Sequence, residues 1–172
     1  GRAEAATKAA ESMNHVWRIH DGRLQGTIDV TVRGAAGDRF LLLNDPAVIR
    51  NFTTTNTGAL KVVKVGADQE TAYFLELENE GAASGKVEFE MPVADPAKGW
   101  PMPGGPAVSR RIDVRWDEAG WEFYSADAAA VTIPQGLAAG ESGALIILKP
   151  TEVVVIAARP KQRDVANEET RF

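Results

Sequence analysis

Apolar and polar residues alternate with a period of two along much of this chain, in short segments separated by Gly- and Pro-rich turns. The first alternation begins at Asn14 and is interrupted by Asp21-Gly22, the dipeptide favoured in a two-residue type I′ hairpin turn. Pairing His20 with Arg23 across that turn sets Ile19 against Leu24, Trp17 against Gly26 and His15 against Ile28. Trp17 then covers bare backbone at Gly26. The opposite face, from Arg18 and His20 through Gln25, Thr27 and Asp29 to Thr31, is polar throughout.

Further strands are expected over residues 40–43, 59–65, 70–78, 86–91, 108–116, 121–125, 129–133, 144–148 and 152–158. No helix of crossover length separates them, so the pattern predicts an all-β fold, an antiparallel immunoglobulin-like β-sandwich over residues 14–158. Leu145-Ile146-Ile147-Leu148 and Val153-Val154-Val155-Ile156 are apolar on both faces, which predicts doubly covered central strands. Residues 2–13 have high helix propensity and little bulk, so a short N-terminal helix is expected, with residues 1–13 as a connector. Residues 159–172 read as a polar C-terminal linker. Between Met91 and Val108 the chain is too rich in Pro and Gly for a regular element; the segment is either a functional loop or a crossover between sheets.

Composition narrows the chemistry. With 172 residues, 44% of them hydrophobic, the chain is long enough for one domain with a sizeable core. The formal charge of -5 works against nonspecific attraction to phosphate backbones or anionic membranes, so nucleic acid is not an expected partner. With no cysteine, disulfides, thiolate catalysis and Cys-held metal centres are excluded for this chain. No apolar run approaches the ~18 residues of a transmembrane helix. The first residue is Gly1 rather than Met, and the chain reads as a piece of a longer protein.

The opening strands and the closing segment carry a resemblance. Gly22-Arg23-Leu24-Gln25-Gly26, Val30-Thr31-Val32, Phe40-Leu41-Leu42-Leu43 and Pro46-Ala47-Val48, with the closing Arg159-Pro160-Lys161-Gln162-Arg163-Asp164, resemble β-sandwich regions of uncharacterised bacterial cell-envelope proteins. The resemblance covers about a quarter of the chain and its motifs are generic. It implies an extracytoplasmic module of a larger protein, periplasmic or at the cell surface, and brings no functional residues with it.

Candidate sites are few. His15 and His20, five apart on one strand, point to opposite faces and cannot jointly hold a metal. No Gly-x-Ser-x-Gly elbow and no phosphate-cradling glycine loop is present. Glu76, Glu78 and Glu80 share one face of their strand, and Glu88 and Glu90 one face of the next; in a hairpin of the two, at least one Glu opposes another. Arg111 and Arg115 on a neighbouring strand, a calcium ion or a glycosidase role would each account for the acids, against the plainer reading of a solvated charge ladder. If strand 108–116 lies beside strand 86–91, the two arginines stand across from Glu88 and Glu90. Trp116 and Trp121 flank a four-residue turn and are expected to meet over the core.

Trp100, in the Pro/Gly loop, is either tucked onto the core or exposed as a stacking platform. The resulting expectation is a non-catalytic structural or interaction module with no metal and no cofactor. Its partners would be another protein or other domains of its own chain. The alternative is a carbohydrate-binding module in which Trp100 stacks on a sugar and Glu88 or Arg115 bonds its hydroxyls.

Overall fold

The Asp21-Gly22 turn sets the register of the first two strands. Both residues have positive φ, 55° and 76°, as a type I′ turn requires. The turn joins β1 (Ala10–His20) to β2 (Arg23–Gly34) in the expected register, including Trp17 opposite Gly26. The computed structural model describes residues 7–55, 57–150 and 153–162.

The chain continues through β3 (Arg39–Asn44), β4 (Val48–Thr54), β5 (Gly58–Val65), β6 (Glu70–Leu77) and β7 (Gly81–Pro92). After a 3-10 turn at Pro96–Lys98 come β8 (Trp100–Pro101), β9 (Ala107–Trp116), β10 (Trp121–Tyr124), β11 (Ala128–Thr132), β12 (Ser142–Leu148) and β13 (Val155–Pro160). The fold is all-β. Among the described residues the strands form a seven-stranded sheet, β11-β12-β9-β1-β2-β7-β4, and two three-stranded sheets, β10-β13-β8 and β3-β6-β5. All pairings in them are antiparallel except β1 with β9, which run parallel. Side chains from all three sheets share one core that includes Trp17, Phe40, Leu75, Phe89, Ile112 and Phe123.

Several expectations are corrected. Among the described residues no helix precedes the sheet: Thr7–Ala9 are not helical, the Lys8 amide donates to the Arg39 carbonyl, and β1 starts at Ala10; residues 1–6 lie outside the described residues, as do the tail from residue 163 and Glu152. Strand β4 escaped the pattern because a bulge between Ile49 and Asn51 breaks its alternation, so Ile49 and Phe52, three apart, both pack on the core. Strands β6 and β7 are not hairpin partners. Strand β6 lies between β3 and β5, β7 between β2 and β4, and no Glu opposes Glu on β7: Glu90 faces Gln25 and Val48, Glu88 faces Thr27 and Asn51.

The expected Arg–Glu ladder is also absent. Strand β9 lies between β1 and β12, with β1 and β2 separating it from β7, so two whole strands intervene between Arg111 and Arg115 and the acids Glu88 and Glu90. Nor are the two apolar runs doubly covered, since Ile147, Val153 and Val155 are 44%, 73% and 49% exposed. Their inner neighbours Ile146, Val154 and Ile156 are buried, so one face packs and the other stays bare.

The Pro/Gly segment after β7 is a structural plug. Asp95 caps the 3-10 turn through its side chain, accepting from the Ala97 amide at 3.0 Å. Beyond it Trp100 and Met102 are buried, the Met102 amide donates to the Val154 carbonyl at 2.8 Å, and the Gly105 amide donates to the Leu41 carbonyl at 3.1 Å. Backbone bonds to two different sheets anchor the segment where no hydrophobic period announces it.

Gly26 supports a direct prediction. A Cβ there would lie 2.4 Å from Phe89 Cζ and 3.0 Å from Trp17 Cδ1, closer than carbon atoms pack. Gly26→Val should therefore destabilise the protein by about 1–3 kcal/mol through overpacking, read as a lower denaturant midpoint with an unchanged slope. Among the described residues no helix is long and apolar enough to cross a membrane.

Candidate functional site

Alternation along the seven-stranded sheet turns one face toward the core and the other outward. On the outward face of β1, β2, β7 and β4 a shallow groove of about 410 Å³ is lined by Val16, Thr27, Arg18, Arg50, Glu88 and Glu90 among others. Glu90 is saturated: it accepts from Arg50 Nη2 at 2.8 Å and Nε at 3.0 Å, from Arg23 at 3.1 Å and from Gln25 at 3.2 Å. The hydrogen bonds from Arg50, followed by those from Arg23, hold its carboxyl below the usual carboxylate range. Glu88 makes no ion pair among the described residues.

Arg115 is on the same outward face but belongs to a different set of contacts. It donates to Asp113 at 3.3 Å, to the Gln135 carbonyl at 2.8 Å and to the Gly136 carbonyl at 3.1 Å, which pins the segment after β11 over the sheet. Glu88 and Arg115 are therefore separated by β1 and β2, and Trp100 is on the core side of the sheet, only 5% exposed. The three candidate ligand-binding residues do not converge. Trp100 in particular has no free face for a sugar, because it packs against Trp17 with ring centroids 6.0 Å apart and edge-on to Phe123 at 6.4 Å.

The two histidines point opposite ways, as their spacing requires. His20 is exposed and paired with Asp117, and that hydrogen bond and charge raise the imidazole above its ordinary 6.5. His15 is fully buried. Trp17 Nε1 donates to its Nδ1 at 3.2 Å, which places the imidazole proton on Nε2, an atom with no partner among the described residues. Burial, with the Arg110 charge as a smaller contribution, pushes this histidine down to about 3. It is a neutral, packed group at every ordinary pH.

Trp116 and Trp121 meet as expected, with centroids 5.0 Å apart, and Phe123 links them to Trp100. All four tryptophans therefore form one chain of ring contacts that starts at His15. Among the described residues no three His, Asp or Glu side chains are grouped so as to hold a metal ion. One feature escaped the sequence reading: an apolar cleft of about 200 Å³ at the corner between β10 and β11, with Lys161 at its rim. The only hint of it along the chain is Ile133, which continues the strand's apolar character up to Pro134.

No protein-family model and no curated protein sequence matches the chain. Solved structures do. The yeast LTA4 hydrolase aligns with a TM-score of 0.54 over 91% of this chain and 30% of its own, at 6% identity. The M1 zinc metallopeptidase of Deinococcus radiodurans bound to a Tyr-Ser-Ala substrate aligns with a TM-score of 0.52 over 87% of this chain and 42% of its own, at 9% identity. A putative protease of Parabacteroides distasonis gives a TM-score of 0.51, covering 92% and 41%, at 9% identity. The chain spans less than half the length of these proteins. At such identities the likeness is one of fold: this all-β arrangement also occurs as a part of larger metallopeptidase chains.

Proposed function

We propose that the chain is a non-catalytic β-sandwich module, structural or interacting, of a larger envelope-located protein. The observation that supports this most is the coverage: nearly all of this chain matches a minor part of longer peptidase chains, 87% against 42% in one case. The disposition of the histidines adds to it. His15 is held neutral inside the core, and His20 is engaged with Asp117 in a pair that no further His, Asp or Glu among the described residues completes as a metal site. The extracytoplasmic setting rests on the resemblance of the opening and closing segments to envelope proteins. Trp100 has no part in this function beyond packing.

The reading is tested by incubating the purified chain, with and without added zinc, with amino-acid p-nitroanilides and short peptides. No hydrolysis above the protein-free control is expected. Turnover that follows the folded protein through purification and falls on changing one residue would overturn the proposal.

A further inference from the structure

The corner cleft rests on the interaction reading above and makes it specific. Strand β10 is the outer strand of its three-stranded sheet and β11 the outer strand of the seven-stranded sheet. Between them Trp121, Phe123, Leu137 and Ala144 line a cleft, and Val131 on β11 and Ile133 just beyond its end, which also line it, remain 44% and 74% exposed. Large apolar side chains left bare beside such a cleft are a feature of contact surfaces. The size of the cleft limits what it can hold. At about 200 Å³ it is smaller than the ~300–1,000 Å³ usual for small-molecule sites and suits a single large side chain.

The charges at the rim determine the rest. Glu122 is paired with Arg159 at 2.7 Å, whereas Lys161 makes no ion pair among the described residues, so among these residues the unpaired charge beside the cleft is positive. We propose that this corner docks an extended polypeptide of a partner domain, which inserts one large apolar side chain between β10 and β11 and sets a carboxylate near the Lys161 ammonium. The apolar residue supplies the affinity, and the carboxylate determines which segment is accepted.

Two blocked peptides serve as probes, acetyl-Thr-Val-Thr-Leu-Thr-Glu amide and the same peptide ending in Lys, titrated into the full chain and followed by methyl NMR. The acidic peptide should give saturable shifts confined to Val131, Ile133, Leu137 and the Trp121 surroundings, at least severalfold tighter than the basic one. Lys161→Glu should reverse that preference, and Val131→Glu should abolish both titrations while leaving the remaining spectrum folded. No saturable shift with either peptide, or a preference unmoved by Lys161→Glu, overturns the proposal. So does a concentration-dependent dimer in sedimentation that shifts the same methyls without peptide, since the occupant is then a second copy. None of these results bears on the hydrolysis assay, so failure of the docking site and failure of the non-catalytic reading are distinguishable.

Discussion

Replacing Trp100 by alanine should cost about 3–5 kcal/mol of folding stability, in the range for emptying a buried indole site. The side chain is 5% exposed and touches both Trp17 and Phe123, so its removal opens a cavity where the plug segment meets two sheets. Trp100→Phe should cost less, since the ring contacts survive and the indole Nε1 has no hydrogen-bond partner among the described residues to lose. Guanidinium unfolding followed by circular dichroism reads both effects. An unchanged midpoint for Trp100→Ala would mean that the indole does not pack in the core, and a platform role would return.

The second large effect is acid sensitivity arising from a single residue. His15 is held at about 3 in the folded chain against an ordinary 6.5, so the unfolded chain binds its proton first as the pH falls. Stability from this group is complete above pH 6.5 and is lost progressively below it, by about 2–3 kcal/mol between pH 6.5 and 4.5 and on the order of 5 kcal/mol by pH 3. Asp38 and Glu90 are held below the ordinary carboxylate range, Asp38 by the Ala35 amide and Glu90 by Arg50, so their contribution is lost mostly below that first interval. His20 acts in the opposite sense: raised in the folded state, it contributes fully below 6.5 and loses its contribution as the pH climbs through its folded value. The slope between pH 6.5 and 4.5 therefore belongs to His15. In His15→Phe that slope should flatten, while stability at pH 7 falls by about 1–3 kcal/mol because the Trp17 Nε1 donor loses its acceptor. Urea melts at half-unit pH steps would show it, and a slope that persists in the variant would locate the acid sensitivity elsewhere.

Features set by neighbouring residues were legible along the chain. The Asp21-Gly22 turn carries its own geometry, so the register from His15–Ile28 to His20–Arg23 followed from it. The Trp116–Trp121 contact followed likewise from a short turn. Alternation also placed Glu88, Glu90, Arg111 and Arg115 on outward faces correctly, and separated His15 from His20.

What alternation cannot specify is which strand lies next to which. Strands β6 and β7 are consecutive and amphipathic, yet Leu75 and Val87 reach the common core from different sheets. Glu90 of β7 finds its bases on β2 and β4, in Arg23 and Arg50, and not on β9. Trp100 was ambiguous for another reason. Its burial follows from backbone bonds that the segment makes at Met102 and Gly105, and a Pro/Gly-rich stretch gives no period from which to read them. The corner cleft is less legible still, because Trp121, Leu137, Val131 and Lys161 are brought together only by the meeting of two sheets.

The parallel pairing of β1 with β9 has a consequence for how the chain acquires its structure. Ala10 pairs with Ala107 and Ile19 with Trp116, partners about a hundred residues apart in sequence, whereas β1 with β2 and β5 with β6 are joined by short turns. Closing so long a loop carries an entropic cost before any contact compensates it, and folds dominated by such pairings form slowly. During synthesis the β1–β2 hairpin and its neighbour β7 can assemble as soon as they emerge, but one edge of β1 then waits, with Met13, Trp17 and Ile19 on its inner face, until residues 107–116 arrive. For that interval the growing chain presents an open, apolar-backed strand. It is then most exposed to capture by chaperones or by another copy of itself, and a chain cut short before Ala107 would remain in that state.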